Sequence, residues 1–557
     1  MTRIRTAPTV GAGRPPRQGM GAHVTEWSLL LRVPYGYGSA VVARPHRRSN
    51  GVMTAPAPRG RAAFAGLAGA GSALAAGHLV AGLAGMPTSS PLVAVGNSAI
   101  DLAPTPLKEF AVRTFGTADK IVLLTGMAVI IAALAVVAGL ISRRSRLPGS
   151  VLIGAFGVLG AVAVAARPDF TTPALVAPVM ALIAGLVVFA LLMARGRSAV
   201  DGETSEDRRR FLTTSAAVVV GAGVAGAAGT ALGRGAGADT SRRLVGARIP
   251  GVTAPPPGAD FAVSGTPTFL TTNRDFYRID TALTVPQLRV EDWRLRLHGM
   301  VEREMVLTFD DLVRRPLITR SITLACVSNP VGGPYISTAE FHGVRVRDLL
   351  LEAGVRPGAQ QLFTTSADGF DTGTPLDVLL EPDRDALLAV GMNGEPLPAE
   401  HGFPVRMVVP GLYGYVSATK WLVDAEVTTF DRQHYWEKRG WAKQGPIKTQ
   451  SRIDRPRRRD SLPAGPVTAA GIAWAQHTGI DRVEVRVDGG PWRTAELATD
   501  VSRDTWRMWR VTFHLGPGEH TVQCRATDRA GHTQPEQRRP VLPDGATGWH
   551  SVTFTCA

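Results

Sequence analysis

The chain has 557 residues with 61 glycines, 40 prolines and a formal net charge of +15, and such a length suits about three or four domains. Glycine follows no collagen-like period, and the three cysteines include no CxxC pair, which excludes a zinc ribbon, a thioredoxin motif and a c-type haem site. Residues 1–52 hold eight arginines against the single acid Glu26, so nearly half of the excess charge lies in one segment, and nucleic acid is not expected as a partner.

The first segment, residues 1–52, shows no sustained hydrophobic period. Met53 offers a second start immediately before the first apolar run. We expect residues 1–52 to be disordered or to precede the true start of the protein.

The next part of the chain predicts a bundle of about five transmembrane helices, because each apolar stretch approaches the roughly 20 residues that cross the hydrocarbon core. The stretches are 62–85, 121–142, 149–166, 173–194 and 211–233. A shorter run at 91–103 predicts an interfacial or re-entrant segment. Arginines collect at alternate ends, so the positive-inside rule predicts a multi-pass protein of the cell membrane with everything after about residue 234 outside the cytoplasm.

The fifth stretch begins with Arg208-Arg209-Arg210-Phe211-Leu212, for which two interpretations stay open. The residues match the twin-arginine export pattern RRxFL, an address for export of folded proteins, and they equally suit a positive-inside flank. Ala236-Gly237-Ala238 has the pattern of a cleavage site, so retention or cleavage of the fifth helix also stays open. Only His78 lies within a predicted span, and because a haem between helices needs facing histidines, no haem is predicted.

Beyond the membrane region, residues 234–265 are rich in glycine, proline and alanine and predict a linker. Residues 266–455 then have a mixed α/β pattern. Residues 293–298 alternate as a strand, Thr308 suits the N-cap of a helix, and residues 346–354 predict a helix ended by glycine.

An arginine-rich run near residue 455 marks the next boundary. In the segment 463–557, strands are expected near 482–487, 506–514, 519–526 and 549–555. Short strands at this spacing predict an immunoglobulin-like β-sandwich of about 95 residues. Cys524 and Cys556 both fall in it on the oxidising side of the membrane. Hairpin symmetry puts Cys524 opposite about residue 552, so a disulfide and two free thiols both stay open.

Cys326 is the single cysteine in the first 523 residues and ends a predicted strand at 321–326. Ser328–Pro334 then breaks the strand, so the thiol is expected to point into the space that this loop encloses. A free cysteine in isolation is more often a small buried hydrophobic residue. The sequence around Cys326 favours a functional role instead.

Three blocks of the chain together resemble the sulfite oxidase family of molybdopterin enzymes over about residues 266–450. The first is Asn273–Arg278 followed by Val285-Pro286, and the second is Leu324–Asn329. The third and most specific runs through Met392–Pro398, His401–Arg406, Val409-Pro410-Gly411 and Lys420-Trp421-Leu422. Segment 463–557 looks like the molybdenum-cofactor dimerisation domain of that family. With its membrane segments, the whole chain resembles the membrane-anchored molybdopterin-dependent oxidoreductases of actinobacteria.

The resemblance implies a multi-domain protein: a bundle of about five transmembrane helices, an α+β sulfite-oxidase-like molybdopterin domain at 266–455, and the C-terminal sandwich. It implies a molybdenum–molybdopterin cofactor with Cys326 as the metal ligand, and Cys326 and Arg278 as catalytic residues. The residues that it implies for cofactor binding are Asn273, Phe276, Tyr277, Arg278, Ser328, Asn329, His401, Arg406, Ser417 and Lys420. It also implies a homodimer and an external electron carrier, such as a cytochrome or a quinone-linked protein.

Two departures from the family pattern concern the substrate. Sulfite oxidases continue the cysteine block with two arginines, one of which binds the sulfite dianion, whereas this chain has Pro330-Val331. They also place an active-site tyrosine where this chain has Val390. We therefore expect oxygen-atom or two-electron chemistry on an unidentified small molecule, such as a sulfoxide or an N-oxide, with sulfite less favoured.

Two other functions are alternatives. A non-enzymatic membrane-anchored surface protein would display the C-terminal module but would leave the blocks around His401 unexplained. A cysteine hydrolase would need a histidine, His342 or His401, to activate Cys326.

Overall fold

The computed structural model describes residues 56–104, 107, 110, 114–115, 119–167, 170–197, 205–235, 238–279, 281 and 283–557. The expectation for residues 1–52 lies outside these residues, as do Ala236 and Gly237 of the cleavage pattern Ala236-Gly237-Ala238. Five helices in the described part are long and apolar enough to cross a membrane, which agrees with the number of predicted spans. These five candidates are Arg59–Leu83, Lys120–Ile141, Leu147–Ala165, Thr172–Arg197 and Arg208–Val245.

The helices of the N-terminal half pack as a bundle through small residues. Their bounds are α1 Arg59–Leu83, α2 Pro91–Leu102, α3 Asp119–Ile141, α4 Leu147–Ala165, α5 Val176–Arg197 and α6 Ser205–Gly235. A Cβ added to Gly66 would lie 1.9 Å from the Ala135 carbonyl oxygen, and one added to Gly82 would lie 2.6 Å from the Gly229 carbonyl oxygen. Glycine at these positions lets the helix backbones approach closely, a packing that is also common between transmembrane helices.

The two ends of the bundle differ in what they contact. At one end the Arg143 side chain donates to the Ala57 carbonyl oxygen at 2.8 Å. At the other end, side chains bind the folded domain that follows: Asn97 accepts from the Leu283 N–H at 3.2 Å, and Arg167 donates to the Asp368 carbonyl oxygen at 2.6 Å. The folded domain therefore abuts the end opposite the one that carries Arg143.

The central domain contains two sheets, with strand orders β2-β1-β10-β5-β6 and β3-β4-β7-β8, and β9 pairs with β7. The strands are β1 Arg294–Gly299, β2 Met305–Thr308, β3 Ile318–Ala325, β4 Ile336–Arg345, β5 Gln361–Ser366, β6 Asp371–Pro375, β7 Leu387–Met392, β8 Glu395–Pro396, β9 Arg406–Val408 and β10 Leu422–Thr428. The predicted strand at 293–298 corresponds to β1. Side chains from both sheets are buried together, and this packing fixes the loops at the strand ends.

Two of the helices described in the central domain have the start or the end that the sequence predicts, at Thr308 and at Gly354. They are α7 Ala238–Val245, α8 Phe309–Val313, α9 Val346–Ala353 and α10 Leu376–Leu380. Thr308 caps α8 in a full capping box, with its side chain accepting from the Asp311 N–H and the Asp311 side chain accepting from the Thr308 N–H. Gly354 follows α9 with φ 71°, a left-handed conformation that glycine adopts without steric cost.

Part of the segment that was predicted as a linker is instead packed onto the central domain. Ala238 and Val245 of α7 and Ile249 after it are buried in the hydrophobic core. Arg242 donates to the Leu397 carbonyl oxygen at 2.9 Å, and the Thr253 N–H donates to the buried Glu340 carboxylate at 2.9 Å. The composition suggested a flexible chain because small residues dominate, but few and well-placed apolar side chains suffice to anchor it.

The C-terminal domain consists of two sheets with strand orders β11-β13-β17-β16 and β12-β19-β18-β14-β15, which enclose a common core. Its strands are β11 Gln450–Arg455, β12 Ser461–Leu462, β13 Gly465–Trp474, β14 Ile480–Val487, β15 Arg493–Thr494, β16 Glu496–Leu497, β17 Arg507–Leu515, β18 Gly518–Asp528 and β19 His550–Cys556. The predicted two-sheet sandwich is present, and its immunoglobulin type stays a prediction. Because β11 pairs with β13, the sandwich begins before the predicted residue 463.

Cys524 and Cys556 remain free thiols, so the disulfide alternative is wrong. The two strands are neighbours, but Cys524 lies opposite His550 and Cys556 lies opposite Gly518. Six residues along a strand separate the two cysteines by roughly 20 Å, well beyond the reach of a disulfide.

Candidate molybdopterin site

Cys326 follows directly after β3, in a turn that is closed by its own hydrogen bonds. The Cys326 N–H donates to the Tyr335 carbonyl oxygen, and the Asn329 N–H donates to the Cys326 carbonyl oxygen, both at 3.0 Å. The Asn329 side chain in turn accepts from the Tyr335 N–H at 2.9 Å. The backbone around the thiol is therefore held in place from both sides.

The thiol itself is half-buried and lies beside one hydroxyl, with the Cys326 Sγ 2.9 Å from the Ser328 Oγ. Burial raises the pKa of Cys326, and the hydrogen bond from Ser328 opposes the rise only in part. The protein alone therefore keeps this sulfur protonated at neutral pH. A coordinated metal ion removes the proton from such a thiol, since the thiolate is the form that binds metals.

Aromatic rings and a histidine line the region beside this turn. Phe276 is buried and stacks on Tyr277 with the ring centroids 5.5 Å apart, and the His401 ring meets Phe276 edge-on at 5.5 Å. His401 Nε2 lies 2.8 Å from the Asn273 carbonyl oxygen. Burial, followed by the charge of Arg406, lowers the pKa of His401 to about 4, so this imidazole is neutral at pH 7.

Arg406 is a buried cation for which the described residues supply no carboxylate. Its side chain is 5% exposed, and Nη1 donates to the His401 carbonyl oxygen at 3.1 Å. Among the described residues Nε has no hydrogen-bond partner. Burial lowers the pKa of Arg406 to about 10. Because a buried charge without a counter-charge is costly, the arrangement fits an anionic group at this position.

Gly402 leaves space between this arginine and a second cation. It has φ 111°, and a Cβ there would lie 3.0 Å from the Cβ atoms of both Arg406 and Lys420. Lys420 Nζ donates to the Glu400 carbonyl oxygen at 3.3 Å. The two cationic side chains thus leave the backbone on either side of a residue that only glycine fills without crowding, and such a pair suits a phosphate group.

Cys326, Tyr277 and Arg406 influence one another electrostatically. Burial raises the pKa of Tyr277, the Cys326 charge raises it further, and Arg406 acts in the opposite direction. Burial also raises the pKa of Tyr413, and the Cys326 charge contributes to that rise. The Cys326 thiol, the Arg406 guanidinium and these two phenols therefore lie close enough to interact.

Several predicted residues have structural contacts of their own. Asn273 donates to the Glu395 carboxylate at 2.5 Å, and the buried Ser417 hydroxyl donates to the Leu412 and Tyr413 carbonyl oxygens. Arg278 is exposed. Sequence reasoning missed Tyr413 and Gly402, although both lie inside or next to the third sequence block and could have been found there.

The geometry excludes His342 as an activating base for Cys326. His342 is paired with Thr319 at the far end of β3 and β4, whereas Ala325 pairs with Ile336. This register separates His342 from the cysteine turn by roughly 20 Å. His401, the other candidate, has its Nε2 directed at the Asn273 carbonyl oxygen. The cysteine hydrolase alternative is therefore not supported.

Two family descriptions match the chain in the order in which its domains occur. The oxidoreductase molybdopterin binding domain matches residues 282–436, and the Mo-co oxidoreductase dimerisation domain matches residues 443–556. Sulfite oxidase of Gallus gallus is 30% identical over 333 residues, which cover 51% of this chain and 72% of that protein. The chain belongs to the sulfite oxidase family. This membership implies a molybdenum–molybdopterin cofactor and replaces the alternative of a non-enzymatic surface protein.

Other relatives of this sulfite oxidase family member share less of their length with it. Mitochondrial sulfite oxidase of Homo sapiens is 31% identical over 343 residues, covering 52% of this chain and 62% of that protein. An inducible nitrate reductase of Glycine max is 29% identical over 317 residues, covering 45% of this chain and 36% of that protein. The sulfane dehydrogenase SoxCD of Paracoccus pantotrophus has a chain that aligns with a TM-score of 0.46 and 24% identity, covering 55% of this chain and 88% of that one.

Proposed function

We propose that this protein is a membrane-anchored molybdopterin oxidoreductase whose catalytic domain lies outside the cytoplasm. The observation that carries the proposal is the buried Arg406, which lacks a carboxylate partner among the described residues and shares one site with the Cys326 thiol. A pterin phosphate supplies the missing negative charge, and the thiolate supplies a soft ligand for the metal.

Some residues of the site bind the cofactor, and others hold the binding residues in position. Arg406 and Lys420 hold the phosphate, and neutral His401 presents an imidazole beside them. Cys326 binds the metal and is held in place by the 326–335 turn. When bound, the metal supplies the two-electron and oxygen-atom chemistry of the site. Tyr277 and Tyr413 stay protonated at neutral pH and offer hydroxyl donors near the thiol.

The substrate is proposed to differ from sulfite. Pro330 and Val331 carry no charge. The two glycines that follow them contact the C-terminal domain, with the His550 ring against Gly332 and Arg452 donating to the Gly333 carbonyl oxygen at 3.0 Å. Val390 is fully buried in β7. A pocket that lacks the two arginines and the tyrosine that sulfite oxidases have at these positions favours a neutral molecule, such as a sulfoxide or an N-oxide, over a dianion.

The orientation follows from the distribution of charge along the bundle. The catalytic domain contacts the bundle end that bears Asn97 and Arg167, and the opposite end carries Arg143 and its neighbours. The positive-inside rule puts the arginine-rich end in the cytoplasm. Homodimer formation through the C-terminal domain and electron exchange with an external carrier complete the proposal.

A substrate screen on the purified holoenzyme tests the proposal. Sulfite, a set of sulfoxides and a set of N-oxides are compared by kcat/KM with a viologen dye or ferricyanide as the electron donor or acceptor. We expect turnover with a neutral oxo compound at least tenfold above that with sulfite. Turnover that favours sulfite would contradict the proposed substrate class.

A further inference from the structure

Two adjoining cavities lie where the bundle meets the catalytic domain. The larger, about 190 Å³, is bordered by the ends of α1, α4 and α5 and by residues 286–288 and 367 of the catalytic domain. The smaller, about 40 Å³, is bordered by Asp101, Asp368 and Tyr435. Arg167 lines both cavities, and it binds Asp101 at 3.3 Å and the Asp368 carbonyl oxygen at 2.6 Å.

The larger cavity has the chemistry of a site for a flat, amphiphilic ring. Met86, Val164, Ala174 and Leu288 give it apolar walls. One hydrogen-bond donor at its edge has a long bond, since Gln287 Nε2 lies 3.3 Å from the Val285 carbonyl oxygen. A dry cavity of about 150 Å³ accommodates a benzene ring, so a substituted six-membered ring fits here.

Backbone hydrogen bonds link the cavity wall at Ala367 to the region of the proposed phosphate-binding cations. The Ala367 N–H donates to the Trp421 carbonyl oxygen at 2.8 Å, and the Trp421 N–H donates to the Gly402 carbonyl oxygen at 3.3 Å. Trp421 is the chain neighbour of Lys420, whose ammonium lies 4.5 Å from the indole ring centroid. The backbone segments at Ala367 and Trp421 therefore lie between a ring bound in the cavity and the proposed pterin site.

We propose that the larger cavity binds the ring of a membrane-dissolved quinone and that this quinone is the electron carrier of the enzyme. The inference deepens the proposed function and rests on it for the electrons. A quinone that takes up two electrons and two protons becomes a quinol. The two electrons are those that the metal site gains when substrate is oxidised, and the reverse transfer serves substrate reduction.

The smaller cavity provides for the protons. It is large enough for water, which needs about 10–15 Å³, and Asp101 and Asp368 border it together with Tyr435. Water in this cavity exchanges protons with the ring bound on the other side of Arg167. The guanidinium of Arg167 is a positioning group, because its bond to the Asp368 carbonyl oxygen holds the bundle against the catalytic domain and its ion pair with Asp101 fixes it to α2.

Binding is tested on the full-length protein in phosphatidylcholine nanodiscs with 2-heptyl-4-hydroxyquinoline N-oxide, a quinone analogue whose fluorescence falls on binding. Ala174→Phe fills the cavity, and Gln287→Leu removes a donor without filling it. Val179→Phe, at a position of α5 that is 48% exposed, is the matched control. We expect one site per chain, with the dissociation constant raised at least tenfold in both cavity variants and unchanged in the control. Absence of binding, or equal binding in all variants, would overturn the proposal.

Electron exchange is tested separately by adding menadiol to the oxidised holoenzyme and following, by stopped-flow absorbance, the menadione signal that forms as each menadiol gives up two electrons and two protons. We expect the signal to develop at least tenfold more slowly in Ala174→Phe than in Val179→Phe. Analogue binding with equal signal kinetics in both variants would overturn the electron-carrier role. Analogue binding does not require the metal, so a protein without molybdenum would contradict the proposed function while the binding result still decides the cavity.

Discussion

Replacing Arg406 with methionine separates two effects of its buried charge: the destabilisation of the cofactor-free protein and the binding of the cofactor. Methionine has a similar length and no charge, so it fills the space without requiring a counter-ion. Burial lowers the pKa of Arg406 from 12.5 to about 10, and at 1.36 kcal/mol per unit this is a penalty of about 3 kcal/mol on the cofactor-free protein. The penalty is fully present below pH 10 and is relieved between pH 10 and 12.5, where the unfolded state binds more protons. The variant also loses the hydrogen bond to the His401 carbonyl oxygen, which lowers its stability by about 1 kcal/mol.

The cofactor-free Arg406→Met protein should therefore be more stable than wild type by about 2 kcal/mol, seen as a rise of several degrees in Tm. The same variant, produced in a host that makes the cofactor, should retain less than a tenth of the pterin. Both quantities are measured, by thermal unfolding of the cofactor-free protein and by pterin fluorescence after denaturation of the holoenzyme.

Arg452→Met is the matched control because Arg452 is also buried but pairs with Asp454 at 2.8 Å. Removing this arginine leaves a buried carboxylate alone, which costs about 3–5 kcal/mol, so the control should be less stable and should retain pterin in its folded fraction. An Arg406→Met protein that is destabilised and keeps its pterin would contradict the role of Arg406 as an unpaired cation that binds the pterin phosphate.

Three further predictions concern other parts of the site. Cys326→Ser should keep the pterin but lower turnover at least a hundredfold. X-ray absorption should show one sulfur ligand fewer on the metal than in wild type. Unchanged turnover would contradict the assignment of Cys326 as a metal ligand. The pKa of His401 is lowered to about 4, so the stability of the cofactor-free wild type falls as the pH drops from 6.5 to 4. His401→Gln should remove this acid destabilisation, which is up to about 3 kcal/mol. Equal pH profiles of Tm for the two proteins would count against this prediction. The Trp506 N–H donates to the Thr323 hydroxyl at 2.7 Å, and Thr323→Val removes this partner. The free energy of unfolding in urea should fall by about 1–3 kcal/mol. The control Thr468→Val, at an exposed position, should change it by less than about 0.5 kcal/mol.

Local signals in the sequence predicted the elements that hold the site. Thr308 and Gly354 mark a helix start and a helix end through capping chemistry that depends on a few neighbouring residues. The position of Cys326 after β3 followed from an alternating pattern that a turn interrupts. Helix caps and strand ends can be predicted from the sequence because they depend on residues that are close together in the chain.

Features that depend on distant packing were not predicted. The contacts of Arg242 with Leu397 and of Thr253 with Glu340 join residues that are 155 and 87 positions apart, and no local pattern announces them. The register that separates Cys524 from Cys556 is set by the whole β18–β19 pairing. Likewise, the absence of a carboxylate beside Arg406 among the described residues is a property of the folded site, although Arg406 itself stands out in its sequence block.

The most direct test of the central claim is the molybdenum content of the full-length protein, measured by inductively coupled plasma mass spectrometry after purification from a host that makes the cofactor. We expect about one molybdenum per chain in wild type and a loss of metal in Arg406→Met but not in Arg452→Met. Folded wild-type protein without molybdenum would contradict the assignment of a molybdenum cofactor.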